Sequence, residues 1–131
     1  ASSGFSKKIL PSQNVVGVLE GTDHELKDEY IVLSAHYDHV GVGKEGGGAI
    51  TPTDSIFNGA RDNGAGTVSL LATARALGKV KPKRSVIFFA CTAEEVGLLG
   101  SRYYADNPLI PLITVGPGLM NKFRKPQIHT D

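Results

Sequence analysis

The feature that most constrains the fold of this sequence is a continuous apolar run, RSVIFFACT, at residues 84–92. A strand with one face in water alternates apolar and polar residues, whereas a strand covered on both faces is apolar throughout. The run therefore predicts a buried strand in a sheet with helices on both sides. Two adjacent acids, Glu94 and Glu95, follow it directly. Like charges at the edge of a core repel, so something positive is expected between them.

The segments on either side of this run complete an alternating pattern of strands and helices. Runs of β-branched residues at 14–21 and 29–36 predict two strands, which we expect to be neighbours in the sheet. Residues 41–55 are rich in glycine and proline and lack periodicity, which predicts a loop. Apolar residues recur at helical spacing across 63–79, and residues 93–108 predict a second helix of about three turns that ends at an Asn-Pro pair.

The order of these elements predicts an α/β fold, a three-layer sandwich with a mixed sheet whose central strands are parallel. A length of 131 residues is sufficient for one domain. The tail holds at most one more short strand, at 112–115, and has too little material to cover the second side of such a sheet. We therefore expect residues 1–131 to form a single domain whose C-terminal part is incomplete. The first residue, Ala1, is typical of the cut edge of a longer protein.

Composition and charge argue against several classes of protein. About 40% of the residues are hydrophobic and the net charge is +1, which is typical of a globular chain without a long-range field for nucleic acid or an anionic membrane. No apolar stretch approaches the roughly 20 residues that span a bilayer. The single cysteine, Cys91, excludes an internal disulfide, and its place in the apolar run predicts a core residue rather than a nucleophile.

Polar side chains collect where the predicted strands end, which is the edge at which open α/β sheets bind ligands. A cluster of imidazole and carboxylate without thiolate suits zinc or a similar divalent ion, and a dication would supply the positive charge that adjacent acids need. The residues concerned are His36, Asp38, His39, Asp62, Glu94 and Glu95, and the tail adds His129 and Asp131.

Each of these residues also has an ordinary structural explanation. A single histidine at a strand end is usually a surface residue, a single aspartate before a helix is usually a cap, and two glutamates at a helix start favour the helix dipole. Their joint occurrence at successive strand edges favours a metal site. In that site Glu95 can bind the metal while Glu94 faces its water, and Asp38 can hold the second ring nitrogen of His36.

Three motifs resemble those of the co-catalytic dizinc exopeptidases, a family that includes bacterial leucyl aminopeptidases, glutamate carboxypeptidase and the transferrin receptor ectodomain. They are SAHYDHVG at 34–41, NGARDNGAG at 58–66 and FFACTAEEVGLLGSRYYA at 88–105. The resemblance runs in unbroken order from about Val15 to Pro108. It implies a zinc-dependent exopeptidase, foremost an aminopeptidase that hydrolyses the N-terminal peptide bond of a peptide with a free amino terminus.

The resemblance also implies a role for each site residue. One of two zinc ions is bound by His36 and the other by Glu95, and Asp62 bridges them. Glu94 is the general base, and Asp38 orients His36. The motif PQIHTD matches the last zinc-binding segment of the family, which makes His129 the fourth protein ligand, paired with Glu95.

Two departures from the family pattern leave an alternative open. Arg61 stands where the family frequently has a second aspartate. No aspartate between Asp106 and Asp131 supplies the zinc ligand that the family carries in an L-D-M motif. The alternative is a catalytically inactive remnant or a non-enzymatic binding domain of the same fold. A secreted or periplasmic location follows from the family alone, and the oligomeric state is left open.

Overall fold

A computed structural model describes residues 9–43 and 54–110 of the chain. Those residues form five strands and two helices, and neither helix is long and apolar enough to cross a membrane. The elements are β1 (Val15–Leu19), β2 (Tyr30–His36), β3 (Gly41–Val42), β4 (Ile56–Phe57), α1 (Ala65–Val80), β5 (Ser85–Cys91) and α2 (Leu99–Asp106).

The main sheet of the described residues has three strands in the order β1-β5-β2. Strand β5 is antiparallel to β1 and parallel to β2, which confirms the prediction of a mixed sheet with parallel pairing. The expectation that the first two strands are neighbours is wrong, because β5 lies between them. The central place gives β5, the most continuously apolar strand, a hydrogen-bonded ladder on each side and the greatest burial.

Both faces of β5 are covered. Ile87, Phe89 and Cys91 alternate along one face and pack against Tyr104 of α2, whose ring stacks on that of Phe89 with centroids 4.4 Å apart. Val86 points to the opposite face and is only 2% exposed, and α1 contacts both β2 and β5. The apolar run was therefore a sound guide to a strand buried on both sides.

The predicted loop and the predicted second helix both differ from the structure at their ends. Strands β3 and β4 pair at the two ends of the loop, while residues 44–53 within it and the predicted strand at 112–115 lie outside the described residues. Helix α2 begins at Leu99 rather than Ala93, because positive φ angles at Ala93, Gly97 and Leu98 are incompatible with a right-handed helix. Glu94 and Glu95 therefore lie in a turn ahead of the helix.

The first turn of α2 packs closely against the end of β5, and this contact yields a test of the fold. The Gly100 amide donates to the Thr92 carbonyl at 3.1 Å, and a Cβ at Gly100 would lie 2.1 Å from that oxygen. We expect Gly100→Ala to lower the free energy of unfolding by about 1–3 kcal/mol, because the helix must shift to accept a methyl group.

The matched control for this substitution is Gly78→Ala in α1, where nothing lies within 4 Å of the added methyl group. Alanine is the better helix former, so this variant should gain about 0.5–1 kcal/mol. Denaturant unfolding of the two variants measures the difference. Equal stability of both variants would show that the contact between α2 and β5 is looser than described.

Candidate functional site

The candidate site lies where β2 and β5 end side by side. The last residues of the two parallel strands, His36 and Cys91, are paired in register. The ladder continues one step further, because the Tyr37 amide donates to the Cys91 carbonyl at 3.0 Å. The segments that follow the two strands therefore start from one edge of the sheet, which is where ligands bind in open α/β folds.

His36 faces Asp62 across the site. Its Nε2 atom lies 3.0 Å from Oδ1 of Asp62, and its Nδ1 atom lies 3.1 Å from the main-chain carbonyl oxygen of Asp38. A carbonyl only accepts, so Nδ1 donates to it, and Nε2 is the ring nitrogen that faces Asp62. An imidazole nitrogen and a carboxylate oxygen placed side by side in this way can both bind one cation.

The carboxylate of Asp38 holds the turn that carries the two glutamates. Its Oδ2 atom accepts from the Glu94 amide at 2.9 Å and lies 3.5 Å from the Glu95 amide. Its Oδ1 atom is 3.7 Å from Nδ1 of His36, beyond hydrogen-bond distance, and has no hydrogen-bond partner among the described residues. The link between Asp38 and the glutamate turn was not predicted, because only the pairing of β2 with β5 brings residues 56 positions apart together.

Two overlapping groups of side chains have the geometry to hold a metal ion. His36, Glu94 and Glu95 form one group, and His39, Asp62 and Glu95 form the other; within each group the ligand atoms lie within 4.8 Å of one another. With Asp38, which bonds the Glu94 amide, five of the six residues to which the resemblance gives a role lie at one edge of the sheet. His129 lies outside the described residues.

Asp62 reaches this edge from the segment that precedes α1. It lies in an irregular turn, Ala60–Gly64, and it and Asn63 have non-helical backbone angles. The Asn63 side chain accepts from the Gly66 amide in the first turn of α1 at 3.0 Å, and Thr67 donates its hydroxyl to the His36 carbonyl at 3.0 Å. This contact of Thr67 was not predicted, because its partner is 31 positions away along the chain.

The acids at this edge are paired with histidines. Within the described residues, no lysine or arginine forms an ion pair with the acids of the site, and the histidines are their partners. Burial raises the pKa of the Cys91 thiol, and the charges of Asp38 and Glu94 raise it further. Cys91 is thus a neutral thiol in the core, and the available ligands are imidazole and carboxylate, which fit a divalent ion such as zinc.

Comparison with known proteins gives a consistent result. Peptidase family M28 matches residues 14–116 of the chain. The chain is similar to aminopeptidase YwaD of Bacillus subtilis (36% identity over 73% of this chain and 18% of that protein). It is also similar to leucine aminopeptidase 2 of Arthroderma otae (36%, over 72% of this chain and 16% of that protein) and to the vacuolar membrane protease of Saccharomyces cerevisiae (38%, over 81% and 9%). No solved structure matches.

The matched region covers every element of the described fold and every described residue of the candidate site. The chain itself spans 9–18% of the length of these three relatives. The resemblance to the co-catalytic zinc exopeptidases that the three motifs carry is confirmed, and the chain belongs to the M28 peptidase family.

Proposed function

We propose that this chain carries the metal-binding and catalytic groups of a zinc-dependent exopeptidase that acts as an aminopeptidase. The observation that supports this most strongly is the approach of His36 Nε2 to Asp62 Oδ1 at 3.0 Å, beside the two glutamates. Imidazole nitrogens and carboxylate oxygens gathered within 4.8 Å of one another are stabilised by a cation bound between them. The names of the bacterial and fungal relatives, which are aminopeptidases, favour removal of an N-terminal residue.

The proposed ligands are His36, Asp62 and Glu95, with His129 as a fourth from the tail and Asp62 shared between two zinc ions. Bound zinc would polarise the scissile carbonyl and lower the pKa of a nearby water. The chain's own contribution is to hold the ligands in place. Asp38 does so for the glutamate turn, and its carbonyl keeps the proton of His36 on Nδ1, away from the metal.

Glu94 is the proposed general base. Its carboxylate accepts a proton from the attacking water while the water oxygen forms a bond to the scissile carbonyl carbon and the π electron pair of the carbonyl moves onto its oxygen. The carbonyl double bond then re-forms as the carbon–nitrogen bond breaks, and Glu94 passes the proton to the leaving amine. The hydrogen bond from the Glu94 amide to Asp38 fixes the backbone at this position, so the carboxylate meets the water without a search through other conformations.

The proposed substrate is a peptide with a free, positively charged amino terminus. An acid of this edge that is not assigned as a zinc ligand, such as Glu94, can attract a cationic amine next to the scissile bond. A peptide bond in the middle of a chain offers no such charge. This charge preference accounts for an enzyme that removes one residue at a time. Secretion or a periplasmic location stays a prediction from the resemblance.

Metal analysis combined with a hydrolysis assay tests the proposed function. We expect the purified chain to bind two zinc ions and to hydrolyse leucine p-nitroanilide. Chelation should abolish the hydrolysis and added zinc should restore it. N-acetyl-leucine p-nitroanilide, which differs only in its blocked amine, is the control substrate and should remain intact. A chain that binds no zinc and leaves both anilides intact would favour the inactive binding domain instead.

A further inference from the structure

We propose that His39 is a positioning residue for Glu95, which it holds by donating its Nδ1–H to Oε1 of the carboxylate. The inference rests on the proposed function, because it assumes that Glu95 binds a metal. His39 belongs to the polar cluster that follows β2, but neither the spacing of the motifs nor the resemblance assigns it a role.

The contact between the two side chains is short and partly shielded from water. His39 Nδ1 lies 2.8 Å from Glu95 Oε1, and the two side chains are 23% and 21% exposed. An ionised carboxylate only accepts hydrogen bonds, so the proton of the contact is on Nδ1. A nitrogen that donates a proton has no lone pair for a metal. In this arrangement His39 therefore acts on Glu95 rather than as a ligand through Nδ1.

The ring of His39 also contacts Phe57 and Gly59. Phe57 packs edge-to-face against it, with centroids 6.4 Å apart and the planes at 69°. A Cβ at Gly59 would lie 2.9 Å from Cγ of His39, so only glycine allows the backbone this close, and its φ of +64° also favours glycine. Both contacts come from the segment that leads to Asp62.

These contacts connect the ligands on different segments of the chain. The segment from Phe57 to Asp62 supplies one proposed ligand directly and supports His39, which in turn fixes Glu95. Because Oε1 accepts this hydrogen bond, Oε2 is the oxygen with the most capacity left to bind the ion. A ligand carboxylate fixed in this way loses less conformational freedom on binding, and loss of such an outer hydrogen bond typically costs 10–100-fold in metal affinity.

Zinc affinity of three variants of the 131-residue chain tests the inference. His39→Leu removes the donor and should weaken the more sensitive zinc site by roughly 10–100-fold. His39→Asn places an N–H near the position of Nδ1 and should regain most of that loss. The control is His24→Leu. His24 is exposed and follows β1, and the end of β1 pairs with the start of β5, which is the end of that strand away from the site. Competition with a chromophoric zinc chelator measures all three affinities.

The outcomes separate this inference from the function on which it rests. A parent chain that binds no zinc removes the basis of both. Zinc binding by the parent with unchanged affinity in His39→Leu overturns the positioning role alone. Equal losses in His39→Leu and His39→Asn overturn it too, because an amide cannot replace an imidazole ligand.

A measurement on the unsubstituted chain avoids any effect of substitution on folding. Nitrogen-15 NMR of the imidazole distinguishes a protonated ring nitrogen from one bound to metal. We expect Nδ1 of His39 to stay protonated when zinc is added, while a ring nitrogen of His36 changes to the metal-bound form. Metal binding by Nδ1 of His39 would overturn the inference.

Discussion

Replacement of Glu94 by glutamine is expected to leave zinc binding intact and to lower kcat for leucine p-nitroanilide by about 10²–10⁴-fold, the range attributed to a general base. Glutamine has nearly the same shape but does not accept a proton at working pH. The turn should survive the change, because the Glu94 contact with Asp38 is made by the backbone amide and not by the side chain. Loss of turnover would then reflect chemistry rather than structure.

Steady-state kinetics and zinc content, measured on the same preparation, test this expectation. Glu25→Gln is the control, since Glu25 is an exposed glutamate in the connection between β1 and β2. Turnover close to that of the parent in Glu94→Gln would refute the assignment of the base. If the variant instead loses zinc, Glu94 is a metal ligand. The group that Glu94 forms with His36 and Glu95 has the geometry for that alternative.

Replacement of Asp62 by asparagine is expected to abolish zinc binding and turnover together. Asp62 faces His36 Nε2 at 3.0 Å and is the ligand proposed to be shared by the two zinc ions, so a neutral amide at this position weakens both proposed sites at once. The loss should exceed the 10–100-fold that follows removal of an outer hydrogen-bond partner. The side chain is 67% exposed, so its replacement leaves no cavity in the core.

The stability of the metal-free protein separates loss of a ligand from loss of the fold. Without zinc, Asp62→Asn should unfold within about 0.5 kcal/mol of the parent, as exposed substitutions usually do. With zinc, only the parent should gain stability, because an ion that binds the folded state shifts the equilibrium toward it. Asp28→Asn, at an exposed position between β1 and β2, is the control and should gain as the parent does. An equal gain in Asp62→Asn would exclude Asp62 as a ligand.

Much of the fold was predictable because burial leaves a local pattern. The unbroken apolar run of β5 predicted a strand covered on both faces, and helical spacing predicted α1 to within two residues at its start. The prediction was wrong where local pattern carries no information. Nothing in the segments 14–21 and 29–36 indicates that a strand from much later in the chain lies between them.

The two glutamates illustrate the same limit at the scale of single residues. Their sequence context is typical of a helix start, yet they lie in a turn because the backbone takes positive φ angles at Ala93, Gly97 and Leu98. Intrinsic preferences do not favour such angles at alanine or leucine. They persist because the turn is held from outside, by Asp38 at one end and by the contact of Gly100 with Thr92 at the other.

The sequence by itself determined the three strands of the main sheet and the helix α1, which strand is most buried and which kinds of ligand gather at the strand ends, since side-chain chemistry and periodicity are local properties. Only the tertiary structure decided that Asp38 holds the glutamate turn, that its carbonyl meets His36 and that His39 meets Glu95. The physical reason is that hydrogen bonds depend on distances of a few tenths of an ångström. For residues 56 positions apart, those distances are set by the register of β2 on β5.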